Sequence, residues 1–263
     1  MRTKSMHVSD DVERLVIVSD LHGFVEPLKV LDGLIASYQE KLQVVAAGDY
    51  VVTGARPVEA IEWVRANAGS FAVRGNHDEN SVARVEGAHP PWTEAGASER
   101  LNPDQREYLA RLPDVLELSW RGRCIRITHH RRPSGQVVSW MGKVTEVFDF
   151  FADPGVALVV AAHTHYPFVR KTATCCVANT GSISVPILGF RQDDGTVESR
   201  TEDSFEPDTK IFSTYLSVSC NGTGLEVVIE RFDYDRAPGI ERLRDAAHPD
   251  VERLRALLET GIC

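Results

Sequence analysis

Three apolar runs alternate with two amphipathic segments at the start of this chain, and that alternation limits the folds open to it. The runs are Leu15-Val16-Ile17-Val18, Leu42-Gln43-Val44-Val45-Ala46-Ala47 and Phe71-Ala72-Val73. In 26–39, Leu28, Leu31, Leu34 and Ile35 share one helical face. In 57–68, Val58, Ile61 and Val64 form a stripe behind Pro57, a residue suited to a first helical turn. Strand-helix-strand-helix-strand predicts parallel strands joined by crossover helices.

The second half reads differently. Strands are expected near 115–120, 123–128, 157–161, 167–170, 174–178, 211–219 and 224–231, mostly without long helices between them. Asn102-Pro103 predicts the cap of a short helix through Leu112. Further helices are expected near 139–151, 238–246 and 249–260, the last with Leu254, Leu257 and Leu258 as its stripe. Residues 191–210 are polar and nearly free of large apolar groups, and read as a loop or insertion. The sum is one α/β domain over 1–263, with two sheets and outer helices.

Chemistry gathers just past the apolar runs. Asp20 and His22 follow the first, Asp49 the second, and Asn76-His77-Asp78-Glu79 the third. His129-His130 and then His163 and His165 follow the runs at 125–127 and 159–161. Ligands of open α/β sheets bind beyond the carboxyl ends of the strands. Asp and Asn are good turn residues, and a lone His at a strand end is usually a packing residue. Five strand ends that each deliver Asp, Asn or His argue instead for divalent metal ions. Asp20 and His22 differ by two positions and can point the same way, as can His163 and His165. A carboxylate such as Asp49 can bridge two ions about 3.5–4 Å apart. The five cysteines, Cys124, Cys175, Cys176, Cys220 and Cys263, form no CxxC pair, which disfavours a disulfide framework and a thiolate zinc site.

The formal charge of −9 makes bulk nucleic acid a poor partner, because phosphate-backbone binding is driven by basic residues. A small anionic substrate held by metal stays open. No apolar run approaches bilayer-spanning length, and the N-terminal stretch lacks an apolar core of the signal type, so no membrane partner and cytoplasmic residence are expected.

The ordered series Asp20-x-His22, Gly48-Asp49-x4-Gly54, Gly75-Asn76-His77-Asp78, His129 and His163-x-His165 resembles the calcineurin-like metallophosphoesterase superfamily, in particular its small bacterial and archaeal phosphodiesterase and phosphatase branch. The resemblance covers roughly residues 14–184. It implies a four-layer α-β-β-α sandwich of two mixed sheets flanked by helices. It implies two divalent metal ions, Mn first, with Fe, Zn, Ni, Co or Mg as alternatives. Asp20, His22, Asp49 and His165 would hold one ion, and Asp49, Asn76, His129 and His163 the other. His77 would face the phosphoryl group or protonate the leaving oxygen, with Asp78 orienting it. A hydroxide bridging the metals would attack phosphorus in line. Phosphodiesters or nucleotides, dinucleoside polyphosphates, and phosphoproteins or small phosphomonoesters are the competing substrates. A non-catalytic metal-binding scaffold is the alternative of another class.

The chain also departs from that pattern. His130 stands where the family often has Gly, and the strand register favours His129 as the ligand over His130. His130, Arg131 and Arg132 are candidate substrate contacts that would clasp a second phosphate, a solvated basic loop being the alternative. The segment 81–101 follows the His77 turn, which suggests a lid whose Trp92 and His89 could meet a base; an exposed loop is the other reading. His7 and His248 lie outside all motifs and are expected at the surface.

Overall fold

A computed structural model describes residues 1–82, 89–200, 211–222 and 224–263. The chain opens with β1 (Thr3–His7) and β2 (Arg14–Val18), then crosses through α1 (Glu26–Ser37) to β3 (Leu42–Ala46). β2 and β3 pair in parallel, Val16 beside Val44 and Ile17 beside Val45, as the alternation requires. After α2 (Pro57–Asn67) the run 71–73 meets β3 through the single parallel bridge Ala46–Ala72, short of the full strand expected. The next helix begins too soon for more pairing: α3 is Asn76–Asn80. α4 (Glu94–Arg100) and α5 (Pro103–Arg111) follow. Asn102 caps α5, its side chain accepting from Gln105 N–H at 2.9 Å.

The second half supplies β4 (Val115–Trp120), β5 (Arg123–Thr128), α6 (Val144–Phe151), β6 (Leu158–Ala161), β7 (Pro167–Lys171) and β8 (Cys176–Thr180). A short hairpin, β9 (Gly189–Arg191) with β10 (Val197–Ser199), precedes β11 (Ser213–Asn221) and β12 (Gly224–Phe232), and α7 (Ala237–Asp245) and α8 (Val251–Thr260) close the chain. One main sheet runs β1-β4-β5-β6-β8-β7 and the other β12-β11-β2-β3; both are mixed.

Side-chain alternation builds the layers. Leu15 and Ile17 of β2 join Val45, Leu116, Ile127, Val160 and Leu216 in a core between the two sheets. Val16 and Val18 point the other way, against Leu28, Leu31, Ile61 and Val64 of α1 and α2. On the far face of the larger sheet, Val147, Phe148 and Phe151 of α6 cover Val159, Ala161 and Val177. Leu243 of α7 and Leu257 and Leu258 of α8 pack on Phe24, Val185, Ile187 and Phe190. No helix among the described residues is long and apolar enough to cross a membrane.

Two of the expectations need correction. Residues 191–199 are not a loop: Asp193-Asp194-Gly195 turns a β-hairpin, with Gly195 at φ 85°, and Arg200 beyond it is buried. The rest of the expected insertion, 201–210, lies outside the described residues. The helix expected over 139–151 starts only at Val144. Of the expected lid 81–101, residues 83–88 lie outside the described residues, and 94–100 is helical.

Candidate metal centre

Both main sheets present strand ends to one place. β2 delivers Asp20 and His22, β3 Asp49, β5 His129, and β6 His163 and His165; Asn76 and His77 enter on the first turn of α3. The loops bind one another through backbone groups. Asp20 N–H donates to Gly48 O at 2.9 Å, His22 N–H to Asp49 O at 3.0 Å, and Ala162 N–H to His129 O at 3.0 Å.

Five of these residues share an uncommon backbone. Asp20, His22, Asp49, His163 and His165 have φ of 54°, 49°, 56°, 70° and 59°. Left-handed conformations at non-glycine residues cost on the order of 1–3 kcal/mol each and persist only where surrounding structure enforces them. Here they turn consecutive polar side chains inward from different strands. Gly75 meets a separate demand, because a Cβ there would lie 2.0 Å from Asp49 Oδ1.

The side chains converge in two groups that flank Asp49. Asp20 Oδ1 lies 3.2 Å from His165 Nε2 and 3.7 Å from His22 Nε2, and the two histidine nitrogens are 3.1 Å apart. Asp49 Oδ2 stands 3.9 Å from His22 Nε2 on one side and 3.1 Å from His129 Nε2 on the other. His163 completes the second group, its ring centroid 5.1 Å from that of His129. Asp20, Asp49 and His129 are almost wholly buried.

Such crowding of acceptors needs a cation. Among the described residues Asp20 Oδ1, Asn76 Oδ1 and His129 Nε2 are buried and find no hydrogen-bond partner. The far sides of two rings, His129 and His165, are satisfied. His129 Nδ1 meets Ala47 O at 2.8 Å and His165 Nδ1 meets Val185 O at 2.5 Å, so a proton on Nδ1 leaves each Nε2 lone pair facing the centre. The electrostatics agree. Burial would lower His129, yet Asp49 and Asp20 push it up to about 9. Burial would raise Asp49, yet the imidazoles, His129 foremost, hold it well below the usual carboxylate range. Burial, then His129, pushes His163 down to about 3. The donor set fits divalent metal ions with nitrogen and oxygen preference.

The turn Asn179-Thr180-Gly181-Ser182 buttresses this centre. Ser182 and Ser184 Oγ both donate to Asp20 O, at 2.9 and 2.8 Å, and Asn179 Nδ2 donates to Ala162 O at 2.8 Å.

The structure reassigns several neighbours. Asp78 does not face His77. Its buried carboxylate accepts from the backbone N–H groups of Asp49, Tyr50 and Gly75 at 2.8, 2.9 and 2.9 Å, and so fixes the Asp49 loop. Burial, then the Asp49 carboxylate, pushes Asp78 up to about 6, opposed by those backbone donors. His77 instead meets Glu94 of α4, Nδ1 to Oε1 at 3.1 Å. Nothing in the motif pattern marks Glu94.

Arg131 is partly exposed and engaged by protein partners. It donates to Glu79 Oε2 at 2.5 Å and to His130 Nε2 at 3.0 Å, and lies 3.7 Å from Asp114 Oδ1. Arg132 stacks on Phe150, 4.7 Å from the ring centroid, and donates to Asp149 O. His130 is buried beside His163, outside both groups around Asp49. Trp92 packs on His248, ring centroids 4.5 Å apart, so His248 is half-buried rather than simply exposed. His89 N–H donates to Glu99 at 2.9 Å, within its own segment. His7 touches Ser119 at the surface, away from the centre.

A cavity of about 410 Å³ opens over the centre, with His77 and Asn76 on its rim. Trp140, Leu254 and Leu257, which carry no motif, also line it.

Known proteins offer three comparisons. No curated protein matches the sequence. A metallophosphoesterase from Sphaerobacter thermophilus superposes with a TM-score of 0.69 at 20% identity, covering 92% of this chain and 99% of the other. A hypothetical protein from Pyrococcus horikoshii gives a TM-score of 0.68 at 16% identity, covering 95% and 99%. These likenesses are of fold. The family profile described as the calcineurin-like phosphoesterase superfamily domain matches residues 14–200, the stretch that carries every inward-facing Asp, Asn and His described above. The chain belongs to the calcineurin-like phosphoesterase superfamily.

Proposed function

We propose that this chain is a metal-dependent hydrolase of a small phosphate ester, acting at a site for two divalent ions. One observation carries the proposal: Asp49 Oδ2 stands between His22 Nε2 and His129 Nε2, each part of its own buried group of ligands. Asp20, His22, Asp49 and His165 would hold one ion, and Asp49, Asn76, His129 and His163 the other. Mn²⁺ suits this nitrogen and oxygen set, as do Fe, Zn, Co, Ni and Mg. Two bound ions would polarise the phosphoryl oxygens and lower the pKa of the attacking water.

The protein's own groups do the rest. Asn76 is a neutral ligand, so the centre carries less negative charge toward an anionic ester. His77 is partly exposed at the cavity rim, and its backbone N–H donates to Asp49 Oδ1 at 3.0 Å. Its imidazole is placed to donate a proton to the departing ester oxygen as the phosphorus–oxygen bond breaks. Glu94 holds the other ring nitrogen.

Hydrolysis of bis-p-nitrophenyl phosphate by metal-stripped protein, with and without added Mn²⁺, tests the proposal. Nitrophenolate release that depends on Mn²⁺ is the expected result. Bound metal without hydrolysis of this diester or of p-nitrophenyl phosphate would favour a metal-binding scaffold. Failure to bind metal would end the site assignment.

A further inference from the structure

The cavity has two unlike halves. The metal-binding residues form one. Trp140, Val185, Ile187, Leu254 and Leu257 form the other. The apolar half begins at the ligands themselves, since Val185 O accepts from His165 Nδ1 and Ile187 N–H donates to His165 O at 3.2 Å.

Trp140 is the unusual member. Its side chain is large, and the residue keeps 41% of its surface exposed. It is nevertheless held in place. Its ring packs edge-on to Phe190 with centroids 5.2 Å apart, and its carbonyl accepts from Arg200. Arg200, 1% exposed, also donates to Gly142 O at 3.1 Å and to Thr164 O at 2.6 Å. Thr164 lies between His163 and His165. One buried guanidinium thus ties the aromatic wall to the metal-binding turn.

No Lys or Arg side chain among the described residues lines this cavity. Arg200 is buried, with both terminal nitrogens on carbonyls, Arg131 donates to Glu79 and His130, and Arg132 lies on Phe150. A second phosphate or a carboxylate on the substrate would be desolvated against this wall without a partner, which is strongly unfavourable. An apolar or aromatic group there would instead release water from Trp140 and the leucines.

We infer that the site selects phosphate esters whose organic group is uncharged and apolar or aromatic, with Trp140 and Leu254 as its specificity-determining residues. This rests on the phosphoesterase reading above, and it disfavours dinucleoside polyphosphates as substrates.

Calorimetric titration of Mn²⁺-loaded protein with benzylphosphonate and with ethylphosphonate tests it, because both bring the same dianion to the metals. Benzylphosphonate is expected to bind at least about tenfold more tightly. Leu254→Asp and Trp140→Ala should each erase most of that preference while metal content stays unchanged. Both positions are partly exposed, so the variants are expected to fold. Equal affinities in the wild-type protein, or a preference unmoved by both variants, would overturn the inference. Retained hydrolysis of bis-p-nitrophenyl phosphate would then leave the phosphoesterase reading standing. Loss of that hydrolysis together with no binding of either phosphonate would overturn both.

Discussion

His77 Nδ1 lies 3.1 Å from Glu94 Oε1, while Asp78, the next residue, turns away into three backbone N–H groups. Consecutive residues on a helical turn project about 100° apart, so neighbours in sequence are not neighbours in direction. Glu94 reaches His77 because Thr93 caps α4, accepting from Gly96 N–H at 3.0 Å, and sets the start of that helix beside α3.

If Glu94 orients His77, Glu94→Gln should lower kcat about 5- to 20-fold with little change in KM or bound metal. His77→Ala should cost about 100-fold or more in kcat, again with metal retained. Steady-state kinetics beside elemental analysis separates these effects. Glu94→Asp should recover part of the loss. A Glu94→Gln protein as fast as wild type would show that the contact is incidental.

His129 and His130 differ sharply in surroundings, although they are adjacent. His129 Nε2 faces Asp49 Oδ2 at 3.1 Å, whereas His130 Nε2 faces the Arg131 guanidinium at 3.0 Å. On the two-ion proposal, His129→Ala should therefore remove one ion and nearly all activity. His130→Asn should leave the metal content unchanged and cost about 1–2 kcal/mol of stability through lost packing. Metal stoichiometry of the two purified variants decides the point.

Gly75 has no room for a methyl group. The expected Cβ position is 2.0 Å from Asp49 Oδ1 and 2.6 Å from Asp49 N. Gly75→Ala should displace the Asp49 loop, lower stability by about 1–3 kcal/mol and weaken metal binding at least tenfold. Urea unfolding with and without Mn²⁺ reports both terms. A variant that binds metal normally would mean that this loop yields more readily than its packing implies.

The centre was legible in sequence because its residues follow apolar runs, and strand ends of parallel sheets share one edge. That argument brings Asp20, His22, Asp49, Asn76, His129, His163 and His165 together without knowledge of the packing between the sheets. What lay beyond the strand ends was less legible. β1 is a polar edge strand with four of its five residues exposed, so it carries no apolar signal. The β9–β10 hairpin has only three residues in each strand, too few to show a period-2 pattern. Glu94, Trp140 and Arg200 reach the centre through contacts made when separate segments fold together, and no local pattern encodes such contacts. The charges of Arg131 and Arg132 suggested anion binding, but their partners, Glu79 and Phe150, come from elsewhere in the chain.

The partners of Arg131 lead to the last expectation. Asp114, 4% exposed, accepts from Arg74 Nε at 2.9 Å and from Arg2 N–H at 2.6 Å, with Arg131 Nη1 at 3.7 Å. Burial would raise its pKa, but the Arg74 bond, the Arg2 N–H and the two guanidinium charges bring it below the usual carboxylate value. A carboxyl depressed on folding stabilises the protein above its unfolded pKa, about 3.9, and loses that contribution as pH falls through the folded value. Asp114→Asn should therefore lower stability by about 2 kcal/mol at pH 7, and the gap to wild type should narrow below about pH 4. Urea midpoints at pH 7, 5 and 3 measure this directly. The same substitution frees part of the charge on Arg74 and Arg131 beside the Gly75–Asp78 turn. An undiminished gap at pH 3 would mean that Asp114 acts through shape and neutral hydrogen bonds rather than through its charge.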